Sequence, residues 1–84
     1  MTMRLDKYLK VSRIIKRRTI AKQLATEGRV LIDGKVAKPS TEVFAGDILE
    51  INFEHKRIFC EITDLNPKLF NKDGMMYKLI DHNA

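Results

Sequence analysis

The sequence predicts an α+β fold, two N-terminal helices followed by a small antiparallel sheet. Apolar residues recur at helical spacing up to about residue 27, and after Gly28 the period drops to two, the alternation of half-buried strands. Asp33-Gly34 stands between the first two alternating runs, a two-residue hairpin signal because both central positions of that turn need positive φ.

The first helix is predicted from about Arg4 to Arg13. Leu5, Tyr8, Leu9 and Ser12 fall at i, i+3, i+4 and i+7, which places them on one face and Arg4, Lys7 and Lys10 on the other. A second helix from about Arg18 to Glu27 should end at Gly28 in a left-handed cap. Its expected buried face is Ile20, Ala21, Leu24 and Ala25, with Arg18 and Lys22 opposite. Arg17 is placed at the helix entrance, with Ile14 and Ile15 packing in the turn between helices. "RVLIDGKVAK" reads as strand, turn, strand, and "KPSTEVFAGD" as a loop. "ILEINF" puts Leu49, Ile51 and Phe53 on one face, and "RIFCEITDL" returns as its partner. Asn66 to Gly74 reads as a loop, and "MMYKLI" as a short closing strand.

Charge divides the chain. From Met1 to Lys38 there are eleven Lys/Arg against three Asp/Glu; from Pro39 to Ala84 there are five against eight. "SRIIKRRTIAKQ" carries five cations and no acid, so it lacks the i, i+4 partners of a self-paired surface. Such a patch points to a polyanion held on one side of the molecule. Arg4 and Arg18 lead the candidates for phosphate, because a guanidinium offers a two-pronged donor fork. Lys7, Lys10, Arg13, Lys16, Arg17 and Lys22 complete the helical patch, and Lys35 and Lys38 extend it along the hairpin. Helix N-termini near Arg4 and Arg18 should add oriented N–H groups. Asp6 has two readings, stabilisation of the first helical turn, which is preferred, and orientation of a neighbouring arginine. Gly34 supports the patch through the turn itself.

Other functions find little support. One cysteine, Cys60, allows no intramolecular disulfide, and its alternating strand context marks it as packed and inert. His55 and His82 are isolated, so no catalytic residue, metal site or cofactor is expected. Tyr8 is expected in the core, and without Trp or an aromatic cluster, recognition should run through phosphate and shape rather than base stacking. No run is long and apolar enough for a membrane span, and "MTMRLDKYLK" lacks the apolar segment of a signal peptide. The chain is expected to be cytoplasmic and mature as written, with Met3 an alternative start.

Arg4-Leu5-Asp6, Leu9, Arg18, Ala21, Gly28, Val30, Gly34-Lys35, Lys38-Pro39-Ser40 and Gly46-Asp47 together resemble the RNA-binding domain first described in small-subunit ribosomal protein S-four, with its αL-type fold. The start "MRLDKYLKVSRIIKRRTIAK" and the pair Met76-Tyr77 are most similar to the RqcP family of ribosome-associated quality-control factors, and also to the fifteen-kilodalton heat-shock protein family. At Arg17 the chain departs from the serine N-cap of many members, adding a cation and removing a cap.

The chain is expected to be a non-enzymatic monomer, and the resemblance implies binding to the dissociated large ribosomal subunit, with contacts to large-subunit rRNA and peptidyl-tRNA. It further implies cooperation with an RqcH-type factor that adds C-terminal alanine tails. Recycling of the obstructed subunit, as in the heat-shock proteins, is the alternative. A DNA-binding regulator is a weaker one, since two helices joined by a turn resemble a helix-turn-helix. The expected organisation is one RNA-binding domain over 1–84, with a core motif at about 3–53 and a strand extension over 54–84. An end at Ala84 is read as a free-standing protein rather than an enzyme's appendage.

Overall fold

A computed structural model describes residues 2–65 and 76–80. In chain order the elements are β1 (Met3–Arg4), α1 (Leu5–Val11), α2 (Arg18–Thr26), β2 (Val30–Ile32), β3 (Lys35–Val36), β4 (Glu42–Val43), β5 (Ile48–Asn52), β6 (Arg57–Ile62) and β7 (Tyr77–Leu79). The fold is the α+β arrangement that the sequence predicts: two helices and a small antiparallel sheet ordered β3-β2-β5-β6-β7. The loop expected over Asn66–Gly74 lies outside the described residues, as does His82.

The apolar stripe of α1 is buried as its spacing requires, with Leu5, Tyr8, Leu9 and Ser12 all inaccessible to solvent. Its bounds differ from the expectation. The helix begins at Leu5 because the loop 39–41 folds back over its start: the Leu5 N–H donates to the Thr41 carbonyl (2.7 Å) and the Asp6 N–H to that of Pro39 (3.1 Å). Two of the orphan N–H groups of a helix start are thereby satisfied. Arg4 stays extended and pairs with Glu42, so the segment read as loop contains β4, the partner of β1. At the other end Arg13 takes a left-handed φ of 63°, and its N–H returns to the Lys10 carbonyl. Ile15 is buried in the turn and Ile14 packs against the core.

The end of α2 follows from sequence. Gly28 has φ 76°, its N–H donates to the Ala25 carbonyl and the Arg29 N–H to that of Leu24, the paired bonds of a Schellman cap. Ala21 and Ala25 are buried against α1, and Leu24 is half-buried. Ile20, expected in that face, is 43% exposed. It stands about 100° around the helix from Ala21 and further from Ala25, at the rim of the stripe.

In the sheet, Asp33 (φ 52°) and Gly34 (φ 85°) form the predicted turn. Asp33 also ties that turn to β5, because its carboxylate accepts the Ile48 N–H at 2.9 Å while its own N–H donates to the Ile48 carbonyl. Register places Val30, Ile51 and Ile58 in one row and Ile32, Leu49, Cys60 and Leu79 in the next; Val30, Leu49, Ile51 and Cys60 are fully buried in the core, whereas Leu79 on the edge strand is 63% exposed. Full burial of one such aliphatic side chain is worth about 1.5–3 kcal/mol, so this face and α1 carry most of the core. Tyr8 locks the two layers: its hydroxyl donates to the Met76 carbonyl at 2.6 Å, just before β7.

Candidate nucleic-acid interface

Asp6 organises the basic surface. Its carboxylate is almost wholly buried, with 3% of the side chain exposed, yet two half-exposed arginines reach it from different elements. Arg4, from β1, donates through Nε to Oδ1 (3.2 Å) and through Nη2 to Oδ2 (3.1 Å), a two-pronged contact. Arg18, at the first turn of α2, donates through Nη2 to Oδ1 at 3.4 Å. The Lys7 N–H adds a fourth donor at 2.8 Å. Burial alone would raise the Asp6 pKa. The Arg4 hydrogen bonds, the Lys7 N–H and the nearby charges of Arg18 and Arg4 outweigh it, holding the carboxyl below its ordinary value.

Asp6 meets both of its readings, stabilising its helical turn through the Lys7 N–H and orienting two arginines, while two expectations are corrected by this arrangement. Arg4 is not on the outer face of a helix; it precedes the helix and turns back onto it. Arg18 does not lie opposite the buried face of α2. It is three residues before Ala21 and seven before Ala25, which at about 100° per residue puts it on their side, projecting toward α1. Sequence periodicity held that signal.

The start of α1 is closed by the loop 39–41 and by Asp6, so it offers no anion site. The start of α2 differs: Arg17 is its extended N-cap, without a side-chain hydrogen bond to the helix. Arg17 therefore places a cation where the backbone N–H groups point outward.

The remaining candidates fall into groups. Lys10, Arg13 and Lys16 line one depression beside the turn between the helices. Lys7 is exposed on the outer side of α1. Lys22 is exposed on α2, in a shallow depression shared with Thr19, Gln23, Thr26 and Glu27, whose side chains are uncharged apart from the carboxylate of Glu27. Lys38 shares a cleft with Arg4, whereas Lys35 is exposed on β3, with Gly34 in its turn. Arg29, absent from the candidates, is half-buried and pairs with Glu27 at 3.2 Å.

Cys60 is fully buried, and burial pushes its thiol up to about 11. The Tyr8 hydroxyl is likewise raised, by burial first and then by Cys60, Tyr77 and Asp64. Among the described residues no group of three or more His, Cys, Asp or Glu stands close enough to hold a metal ion. No helix among them is long and apolar enough to cross a membrane.

The family model described as the S4 domain matches residues 3–49, from β1 to the start of β5. A protein of Listeria monocytogenes named RQC P-site tRNA stabilizing factor is 56% identical over 80 residues, covering 94% of this chain and 87% of that one. One of the same name from Streptococcus pneumoniae is 46% identical over 79 residues, covering 93% and 90%. The chain belongs to the S4-domain family, in the group of RQC P-site tRNA stabilizing factors. A solved trimeric structure of Vibrio cholerae Heat Shock Protein 15 superposes with a TM-score of 0.81 at 26% identity, covering 95% of this chain and 83% of that one. The span of the S4 domain contains every cation discussed above, and both helices that carry the Asp6 cluster.

Proposed function

We propose that this protein is a non-enzymatic RNA-binding factor of ribosome quality control, which holds the dissociated large ribosomal subunit while stalled peptidyl-tRNA is still bound. The Asp6 cluster is the observation that carries the reading. One buried carboxylate fixes two guanidiniums from separate elements, leaving each half exposed with N–H groups that Asp6 does not engage. Guanidiniums held in place in this way suit the phosphates of a folded RNA, since little conformational freedom is lost on binding. Arg4, Arg18 and Arg17 form the centre of the proposed surface. Lys7, Lys10, Arg13, Lys16 and Lys22 extend it over the helices, and Lys35 and Lys38 along the hairpin.

The names of the relatives supply the setting, and large-subunit rRNA and the P-site tRNA are its proposed ligands. On this reading the protein is cytoplasmic, acts as a monomer and supports alanine tailing by an RqcH-type factor on the same particle. Likeness to Heat Shock Protein 15 favours a second reading, recycling of obstructed subunits without tailing.

Sedimentation of lysate containing the tagged protein tests the first part: it should travel with free large subunits and be absent from small subunits and intact ribosomes. Equal recovery across translating polysomes would refute the quality-control reading. Deletion of the gene should abolish C-terminal alanine tails on stalled chains, whereas tails of normal length would favour the recycling function.

A further inference from the structure

Between the end of α2 and the segment after β2 lies a cleft of about 500 Å³. Ala25, Val36, Ala37 and Pro39 give it an apolar floor, and Arg4 and Lys38 supply its cations. The hydroxyl-bearing residues Thr26 and Ser40 also line it, and among the described residues no carboxylate does. Val36 is 64% exposed, so its side chain is accessible to a ligand in the cleft. Gly28 also lines it, and its positive φ belongs to the cap of α2.

The lining has a chemical bias. An aliphatic floor accepts a flat apolar face, while Lys38 and Arg4, the latter part-neutralised by Asp6 behind it, favour an anion. One RNA nucleotide carries both parts in a single unit. Arg4 turns Nε and Nη2 toward Asp6, which leaves Nη1 for an outside acceptor. The Lys38 backbone is fixed, because its N–H donates to Thr41 Oγ1 at 2.8 Å, so its ammonium works from a steady base.

We propose that this cleft receives one unpaired nucleotide of the bound RNA, its base on the Val36–Pro39 floor and its phosphate between Arg4 and Lys38. The inference rests on the RNA-binding reading above and adds to it a site for an extrahelical base. With Arg4 and Lys38 assigned to the phosphate and the Thr26 hydroxyl already donating to the Lys22 carbonyl at 2.7 Å, few side-chain groups are left to read base edges, so the cleft reads the presence of a base far more than its identity.

Two RNA hairpins with the same stem test it, one fully paired and one with a single unpaired 2-aminopurine. The bulged hairpin should bind several-fold more tightly, with a change in 2-aminopurine fluorescence. Val36→Glu places a carboxylate in the cleft from an exposed strand position. It should erase the preference, with affinity for the bulged hairpin falling further than that for the paired one. If Val36→Glu fails to fold by circular dichroism, Ser40→Glu introduces the same charge from the loop side.

Failure of both hairpins to bind would overturn the RNA-binding reading and the site with it. Binding of both with equal affinity, or a preference that survives the glutamate, would overturn the site alone. Tight binding of free adenosine monophosphate without any bulge preference would overturn its assignment to RNA.

Discussion

Arg18 reaches across the helix junction to Asp6, with Nη2 3.4 Å from Oδ1, and joins the first turn of α2 to the first turn of α1. Arg4 holds the same carboxylate from the other side. The basic surface is thus built around a buried acid, which separates the position of charge from its amount.

Asp6→Asn makes that separation measurable. Removing an acid raises the net positive charge, so a surface acting by charge alone should bind RNA more tightly. If Asp6 instead orients Arg4 and Arg18, affinity for large-subunit RNA should fall several-fold, read by fluorescence anisotropy at fixed salt. The cost in folding stability should be about 1–2 kcal/mol, modest because both arginines remain half in water.

The depressed pKa of Asp6 fixes a pH dependence. Its carboxylate contributes stability at pH values above its ordinary pKa, and that contribution is lost as pH falls through the lower folded value. Urea midpoints should therefore drop below about pH 4 in the parent protein. The drop should be smaller in Asp6→Asn; identical profiles would remove Asp6 as their cause.

Arg18→Ala should cost about 1 kcal/mol of stability, more than a surface change without a partner, because it removes one donor from a buried carboxylate. RNA affinity should fall about tenfold or more, and Arg18→Lys should recover only part of it, since the fork does not return. For the parent protein, neutralisation of about five phosphates gives a slope of log K against log salt of roughly −3.5 to −4.5. Arg18→Ala should lower the magnitude of that slope by close to one contact, whereas an unchanged slope would place Arg18 outside the RNA surface.

Cys60 is fully buried with its thiol pushed up to about 11, so it should resist alkylation in the native protein near neutral pH. Modification should follow unfolding, rising steeply with urea. Fast labelling without denaturant would contradict the packing of β6 against the helices.

Much of the molecule was legible in the sequence because it is set locally. The stripe of α1, the left-handed stop at Gly28 and the turn at Asp33-Gly34 each depend on backbone preferences over a few residues, and each stands where its residues indicate. The one-signed charge of the first helices is likewise a property of composition. Tertiary structure decided what those charges do. Arg4 left the helix because a loop some thirty-five positions away, at Pro39–Thr41, closed the helix start and β4 paired with β1. Asp6 became an organiser only when α2 brought Arg18 within reach, and Ile20 stayed exposed at the edge of the face that packs on α1. Periodicity assigns a residue to a face; it takes the packed neighbour to decide whether that face meets water, carbon or a carboxylate.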